Sequence, residues 1–233
     1  LAGGSDKGLD YKEIGETMIA PSILNADNMH LSRDIKAAIE SGIDRFHIDI
    51  MDGHFVPNLS YGPELVKDFK RSFPLTDAEI HLMSNDLETT LPLFVEAGCD
   101  LLEFHYEATD NPEYWINYLK DHNVRCGMAI NPSTPVQKLQ PFLKELDQVL
   151  LMTVKPGFGG QKFEEESVER LVELKNMIEA ENLSVPIEVD GGIEPKTLKL
   201  TRDAGATIFV AGSYIFKNGS IEDQVMKLKK EDK

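Results

Sequence analysis

The chain has 233 residues, 41% of them hydrophobic, and sets 40 acidic side chains against 24 basic ones for a formal net charge of -16. That length suffices for one large core, and the negative surplus repels nucleic-acid phosphates and anionic lipid surfaces, which argues against nucleic-acid or membrane binding. Cys99 and Cys126 are too few for a disulfide framework, and the lack of a signal-peptide core or of an apolar run of about 18 residues predicts a soluble, cytoplasmic protein.

Residues 1–17 are polar and without hydrophobic periodicity, so they read as an extension or cloning remnant ahead of a domain spanning 18–233. From Met18 onward, short apolar or β-branched runs alternate with amphipathic stretches. Strands are expected at 19–24, 45–50, 78–83, 101–105, 125–130, 149–154, 186–190 and 207–211. Helices are expected near 30–41, 63–71, 86–97, 112–121, 136–145, 165–181, 195–203 and 220–230. Leu171, Leu174 and Ile178 show the helical repeat that underlies these assignments. Glycines in Ser41-Gly42, Ala97-Gly98 and Ala204-Gly205 stand where a helix must stop and turn into a strand. Eight strands, each followed by a helix, predict an α/β fold: a single-domain (β/α)8 TIM barrel, with an open doubly wound sheet as the alternative.

Within the second strand, alternation turns His47, Asp49 and Met51 to one face and Phe46, Ile48 and Ile50 to the other. A buried carboxylate without a partner costs several kcal/mol, so the polar face must line a cation or a hydrogen-bond network. Barrel chemistry sits at the carboxyl ends of strands, and there His47 and Asp49 meet His81 of the third strand and Asp190 of the seventh. Two imidazoles and two carboxylates suit one divalent ion such as Zn²⁺, Fe²⁺, Mn²⁺ or Co²⁺. Glu79, Glu103 and Glu188 share the inward parity but lie deeper, as hydrogen-bond support, and His105 and Glu107 read the same way. His54 stands in the loop after the second strand with its role open.

Three glycine-rich turns follow the sixth, seventh and eighth strands: Gly157-Phe158-Gly159-Gly160, Gly191-Gly192 and Gly212-Ser213. Backbone N–H groups bared in this way cradle an anion, and barrel phosphate sites are commonly built after the last two strands. Met51, Met83 and Met152 end strands with inward parity and are expected to wall the site, as core filler or as a water-poor surface around an intermediate.

The chain resembles the ribulose-phosphate 3-epimerase family from about Met18 to Phe216. The resemblance rests on APSILNAD at 20–27, HIDIMDGHFVPN at 47–58, EIHLM at 79–83, FHYEAT at 104–109, NPSTP at 131–135, LMTVKPGFGGQKF at 151–163, VDGGI at 189–193 and VAGSYIF at 210–216. It implies a TIM barrel that interconverts D-ribulose 5-phosphate and D-xylulose 5-phosphate in the pentose phosphate pathway. It also implies His47, Asp49, His81 and Asp190 as metal ligands, with Asp49 and Asp190 as the acid/base pair. Ser22, His81, Asp190 and the three glycine turns become substrate contacts, and a homo-oligomer, dimer or hexamer, is the expected assembly. Lys155 departs from the family's usual residue in the sixth-strand motif, and its parity turns it away from the metal-facing side. The competing readings are a sister epimerase acting on D-allulose 6-phosphate, a metal-dependent hydrolase, and a barrel that binds a sugar phosphate without converting it.

Overall fold

A computed structural model of the protein describes residues 17–231. The extension expected at 1–17 lies, except for Thr17, outside the described residues.

Eight parallel strands alternate with helices. They are β1 (Met18–Pro21), β2 (Arg45–Met51), β3 (Asp77–Met83), β4 (Leu101–His105), β5 (Arg125–Ile130), β6 (Gln148–Met152), β7 (Ile187–Asp190) and β8 (Ile208–Ala211). The helices are α1 (Leu31–Glu40), α2 (Pro63–Ser72), α3 (Leu87–Glu96), α4 (Pro112–Asp121), α5 (Ser167–Ala180), α6 (Pro195–Asp203), α7 (Ser213–Lys217) and α8 (Ile221–Lys230). Hydrogen bonding runs in the order β1-β8-β7-β6-β5-β4-β3-β2, and a parallel bridge between Ser22 and His47 joins the two ends. The result is the single-domain (β/α)8 barrel expected from the alternation of strands and helices.

Strand periodicity sorts side chains between two environments. Outward residues such as Phe46, Ile48, Ile80, Leu102, Phe104, Leu151, Val189 and Phe209 are buried against the helices in the main core. The inward set is smaller and much more polar, with Arg45, His47, Asp49, Glu79, His81, Glu103, His105, Gln148 and Glu188 all buried. The anticipated helix stops are present: Gly42, Gly98 and Gly205 have φ of 81°, 87° and 117°, a backbone that side chains with a Cβ rarely adopt.

Three local expectations change. The first strand ends at Pro21, because the Ser22 hydroxyl accepts the Leu24 N–H and caps a 3₁₀ turn over Ile23–Asn25. β6 ends at Met152, although the chain stays buried through Val154. The segment Val136–Glu145 buries Val136, Leu139 and Leu143 as a helix would, but it is 3₁₀. Pro141 within it has no N–H to donate four residues back, so the tighter winding replaces an α-helix.

Candidate active site

Register places the polar strand ends side by side: His47 pairs with Glu79, Asp49 with His81, and His81 with Glu103, while Asp190 pairs with Met152 and Val210. One ligand atom from each of His47, Asp49, His81 and Asp190 lies within 4.8 Å of all the others. The four residues, collected from three strands, therefore meet at one point. His47 and His81 are fully buried, Asp49 nearly so, and the Asp190 side chain is 19% exposed at the barrel mouth.

Outer partners fix which ring nitrogens carry protons. His47 Nδ1 is 2.8 Å from the Glu79 carboxylate, which can only accept, so Nδ1–H donates and Nε2 is left bare. His105 Nδ1 donates to Glu107 across 3.2 Å. His105 Nε2 must then accept from His81 Nε2, 2.8 Å away, and this leaves His81 Nδ1 bare as well. The bare atoms, His47 Nε2 and His81 Nδ1, face each other at 3.2 Å. Asp49 Oδ1 lies 3.4 and 3.0 Å from them, and Asp190 Oδ2 3.9 and 3.8 Å. With both rings neutral and both carboxyls ionised, four acceptors converge with no donor between them, so the arrangement calls for a positive charge at its centre. A divalent cation bound by nitrogen and oxygen fits this donor set.

Without an ion, a proton on His47 meets part of that demand. Burial opposes a charge on His47, but Asp49, Glu188 and Glu79 outweigh it and raise the imidazole well above its usual value. Burial likewise opposes ionisation of Asp49, yet the His47 and His81 rings hold its carboxyl well below the carboxylate range. Asp190 lies at the other extreme, pushed up to about 7 by burial and by the negative charge of Asp49. His81 is lowered to about 4, chiefly by burial. The Ser22 hydroxyl donates to Asp49 Oδ2 at 2.5 Å and so occupies the second carboxylate oxygen.

Beneath the site lies a deeper polar layer. Arg45 donates to Glu79 and to Gln148 Oε1, both at 2.9 Å. Gln148 Nε2 faces Glu79, Glu103 and Glu188 at 3.2, 2.7 and 2.6 Å. Glu79, Glu103 and Glu188 thus support the site from below, as their parity suggested. Arg45 and Gln148 went unassigned from sequence, although the parity of Arg45 with His47 was a usable signal.

Above the four residues opens a cavity. Its lining includes Ser22, Asp49, His81 and Asp190, all residues from Gly157 to Gly160, and Gly191, Gly192, Gly212 and Ser213. Phe158 is 54% exposed at its rim. Met51, Met83 and Met152 also line it but form two walls: Met51 and Met83 pack with Val56, and Met152 packs with Ala129, Leu150 and Val154. His54 and Lys155 are exposed and do not line the cavity.

A buried acid/base cluster beside glycine turns, at the carboxyl mouth of a closed (β/α)8 barrel, defines a TIM-barrel enzyme. Likeness to solved structures confirms the fold: 3-hexulose-6-phosphate synthase aligns with TM-score 0.68 at 16% identity, over 92% of this chain and 99% of that one. The 3-keto-L-gulonate-6-phosphate decarboxylase of Vibrio cholerae aligns with TM-score 0.69 at 12% identity, over 93% and 97%. Sequence comparison goes further, because the model of the ribulose-phosphate 3 epimerase family matches residues 18–216. The ribulose-phosphate 3-epimerase of Bacillus subtilis is 42% identical over 85% of this chain and 91% of its own length. That of Escherichia coli K12 is 35% identical over 92% and 95%. The chain belongs to the ribulose-phosphate 3-epimerase family and is a carbohydrate epimerase.

Proposed function

We propose that this chain interconverts D-ribulose 5-phosphate and D-xylulose 5-phosphate by proton transfer at carbon 3, with Asp49 and Asp190 as the two bases. The observation that carries the reading is geometric: these carboxyls, from β2 and β7, open into one cavity and converge with His47 and His81 on one point, and their surroundings also push their acidities in opposite directions. Carboxyl groups whose surroundings push their acidities apart mark an acid/base pair.

Epimerisation beside a ketone removes a proton from one face of the carbon and returns one to the other. Ionised Asp49 takes the carbon-3 proton, and the electron pair moves into the ketone to give an enediolate. Protonated Asp190 then delivers its proton to the opposite face. The product state has Asp49 protonated and Asp190 ionised, which is what the reverse reaction requires. Each positioned group contributes about 10² to 10⁴-fold in rate. Ser22 orients Asp49, and the turns Gly157–Gly160, Gly191–Gly192 and Gly212–Ser213 hold the phosphate.

His47, Asp49, His81 and Asp190 would hold one divalent ion, Zn²⁺, Fe²⁺, Mn²⁺ or Co²⁺. Once bound, such an ion supplies Lewis-acid stabilisation of negative charge developing on the substrate oxygens. The same reading makes the enzyme a cytoplasmic homo-oligomer, dimer or hexamer, which a mass measurement in solution tests. Among the described residues no helix is long and apolar enough to cross a membrane.

Incubation with D-ribulose 5-phosphate in deuterated water should place deuterium at carbon 3 and yield D-xylulose 5-phosphate. Asp49→Asn and Asp190→Asn should each abolish turnover with the fold intact. Wild-type turnover in either variant would remove the two-base assignment, and faster turnover of D-allulose 6-phosphate would move the substrate to the six-carbon class.

A further inference from the structure

The cavity has an anion-binding half without a cation: among the described residues, no Lys or Arg lines it. A phosphate held there depends on neutral donors, and the structure shows which remain free. The Gln161 carboxamide is spent within its own loop, donating to the carbonyls of Lys155 and Phe158 at 2.7 and 2.8 Å. Ser22 is spent on Asp49. Asn25 is different, because its carboxamide lines the cavity and makes no hydrogen bond to any described residue.

Its position is built by the glycines around it. A β-carbon at Gly159 would fall 2.5 Å from Asn25 Oδ1 and 2.7 Å from Nδ2. A β-carbon at Gly212 would fall 2.5 Å from the same oxygen. The amide therefore fills the gap between the turn after β6 and the turn after β8, where any larger residue at either glycine would displace it. The 3₁₀ turn Ile23–Asn25 sets this reach, since it starts at Ser22 and brings the chain from the Asp49 carboxylate to the glycine turns within three residues.

We propose that Asn25 is a substrate-binding residue whose carboxamide N–H donates to the phosphate of the sugar, making the β1 turn a third wall of the phosphate pocket. This deepens the proposed function and rests on it for the identity of the sugar. The amide serves an anion because its two donors can turn toward it at no cost in internal hydrogen bonds, while a carboxylate at the same place would repel it.

The test compares wild type with Asn25→Ala, Asn25→Ser and Asn25→Asp, using D-ribulose 5-phosphate, unphosphorylated D-ribulose and inorganic phosphate as a competing ligand. Loss of a hydrogen bond to a charged group is worth roughly a tenfold change or more in affinity. Asn25→Ala should raise KM for the phosphorylated sugar and weaken inorganic phosphate by about that factor, with kcat little changed and a smaller effect on D-ribulose. Asn25→Asp should lose more than Asn25→Ala, and Asn25→Ser less. Equal losses on both sugars, or unchanged phosphate affinity in Asn25→Ala and Asn25→Asp, would overturn the assignment. Direct phosphate binding by calorimetry keeps the two readings separate: a wild type inactive on D-ribulose 5-phosphate rejects the proposed reaction, while phosphate affinity still decides the role of Asn25.

Discussion

His47 Nε2 and His81 Nδ1 face each other across 3.2 Å, and in the neutral rings both are bare, because Glu79 and His105 take the hydrogen of each ring on its far side. His105 is therefore as necessary to the pair as either member. Removing it frees the His81 ring to change tautomer and orientation. His105→Ala should weaken divalent-metal affinity by about 10- to 100-fold, as losses of such outer partners do. Titration of the stripped protein with Zn²⁺ or Mn²⁺ measures this, and wild-type affinity in the variant would show that the tautomer is set elsewhere.

Protein stripped of metal should lose stability as pH rises from about 6.5 to about 8. Asp190 is raised to about 7 from a usual 3.8, so the folded state binds a proton that the unfolded chain has already released. His47, Glu103 and Glu188 are raised too, and each adds stability at low pH that is lost as pH climbs through its folded value. His81 acts oppositely, but only between its folded value of about 4 and the usual 6.5. Metal-loaded protein should reverse the trend, since the ion competes with protons for these ligands and binds more tightly as pH rises. Thermal melts across the range, with and without chelator, check both signs, and Asp190→Asn should flatten the metal-free slope.

Ser22→Ala tests the coupling between β1 and the reacting carboxylate. The hydroxyl donates to Asp49 Oδ2 at 2.5 Å inside a buried site, and alanine leaves that oxygen without its partner. A hydrogen bond to a charged group is worth about 1.5 to 3 kcal/mol, so kcat should fall by roughly tenfold or more while the melting temperature moves little. Steady-state kinetics with circular dichroism distinguish this from unfolding, and an unchanged kcat would confine Ser22 to capping its turn.

Much of this was legible in the chain because barrel strands carry two signals at once. Alternation along β2 put His47 and Asp49 on the face opposite Phe46 and Ile48, and the barrel rule placed that face at the mouth. The ends of β1 and β6 were harder, since Ile23 and Val154 stay buried beyond the last paired residue and continue the apolar pattern. The 3₁₀ character of Val136–Glu145 follows from Pro141, which hydrophobic spacing does not register. Arg45 and Gln148 showed inward parity, but their mutual bond spans 103 positions and depends on barrel closure. Asn25 stayed hidden for the same reason: its meaning comes from Gly159 and Gly212, brought to it only by the fold.

Gly127 makes room for the deepest carboxylate, and filling it should be costly. A β-carbon there would fall 2.5 Å from Glu103 Cγ and 2.7 Å from its Oε1, in a fully buried layer where Glu103 also accepts from Gln148. Glu103 cannot swing aside without losing that bond, and burial already presses its carboxyl up to about 8. Gly127→Ala should therefore destabilise the fold by about 1 to 3 kcal/mol, the usual range for overpacking. The cost should shrink in a Glu103→Ala background, where the obstructing group is gone. Urea denaturation of both single variants and the double variant closes the cycle. Additive losses would show that Gly127 is needed for some neighbour other than Glu103.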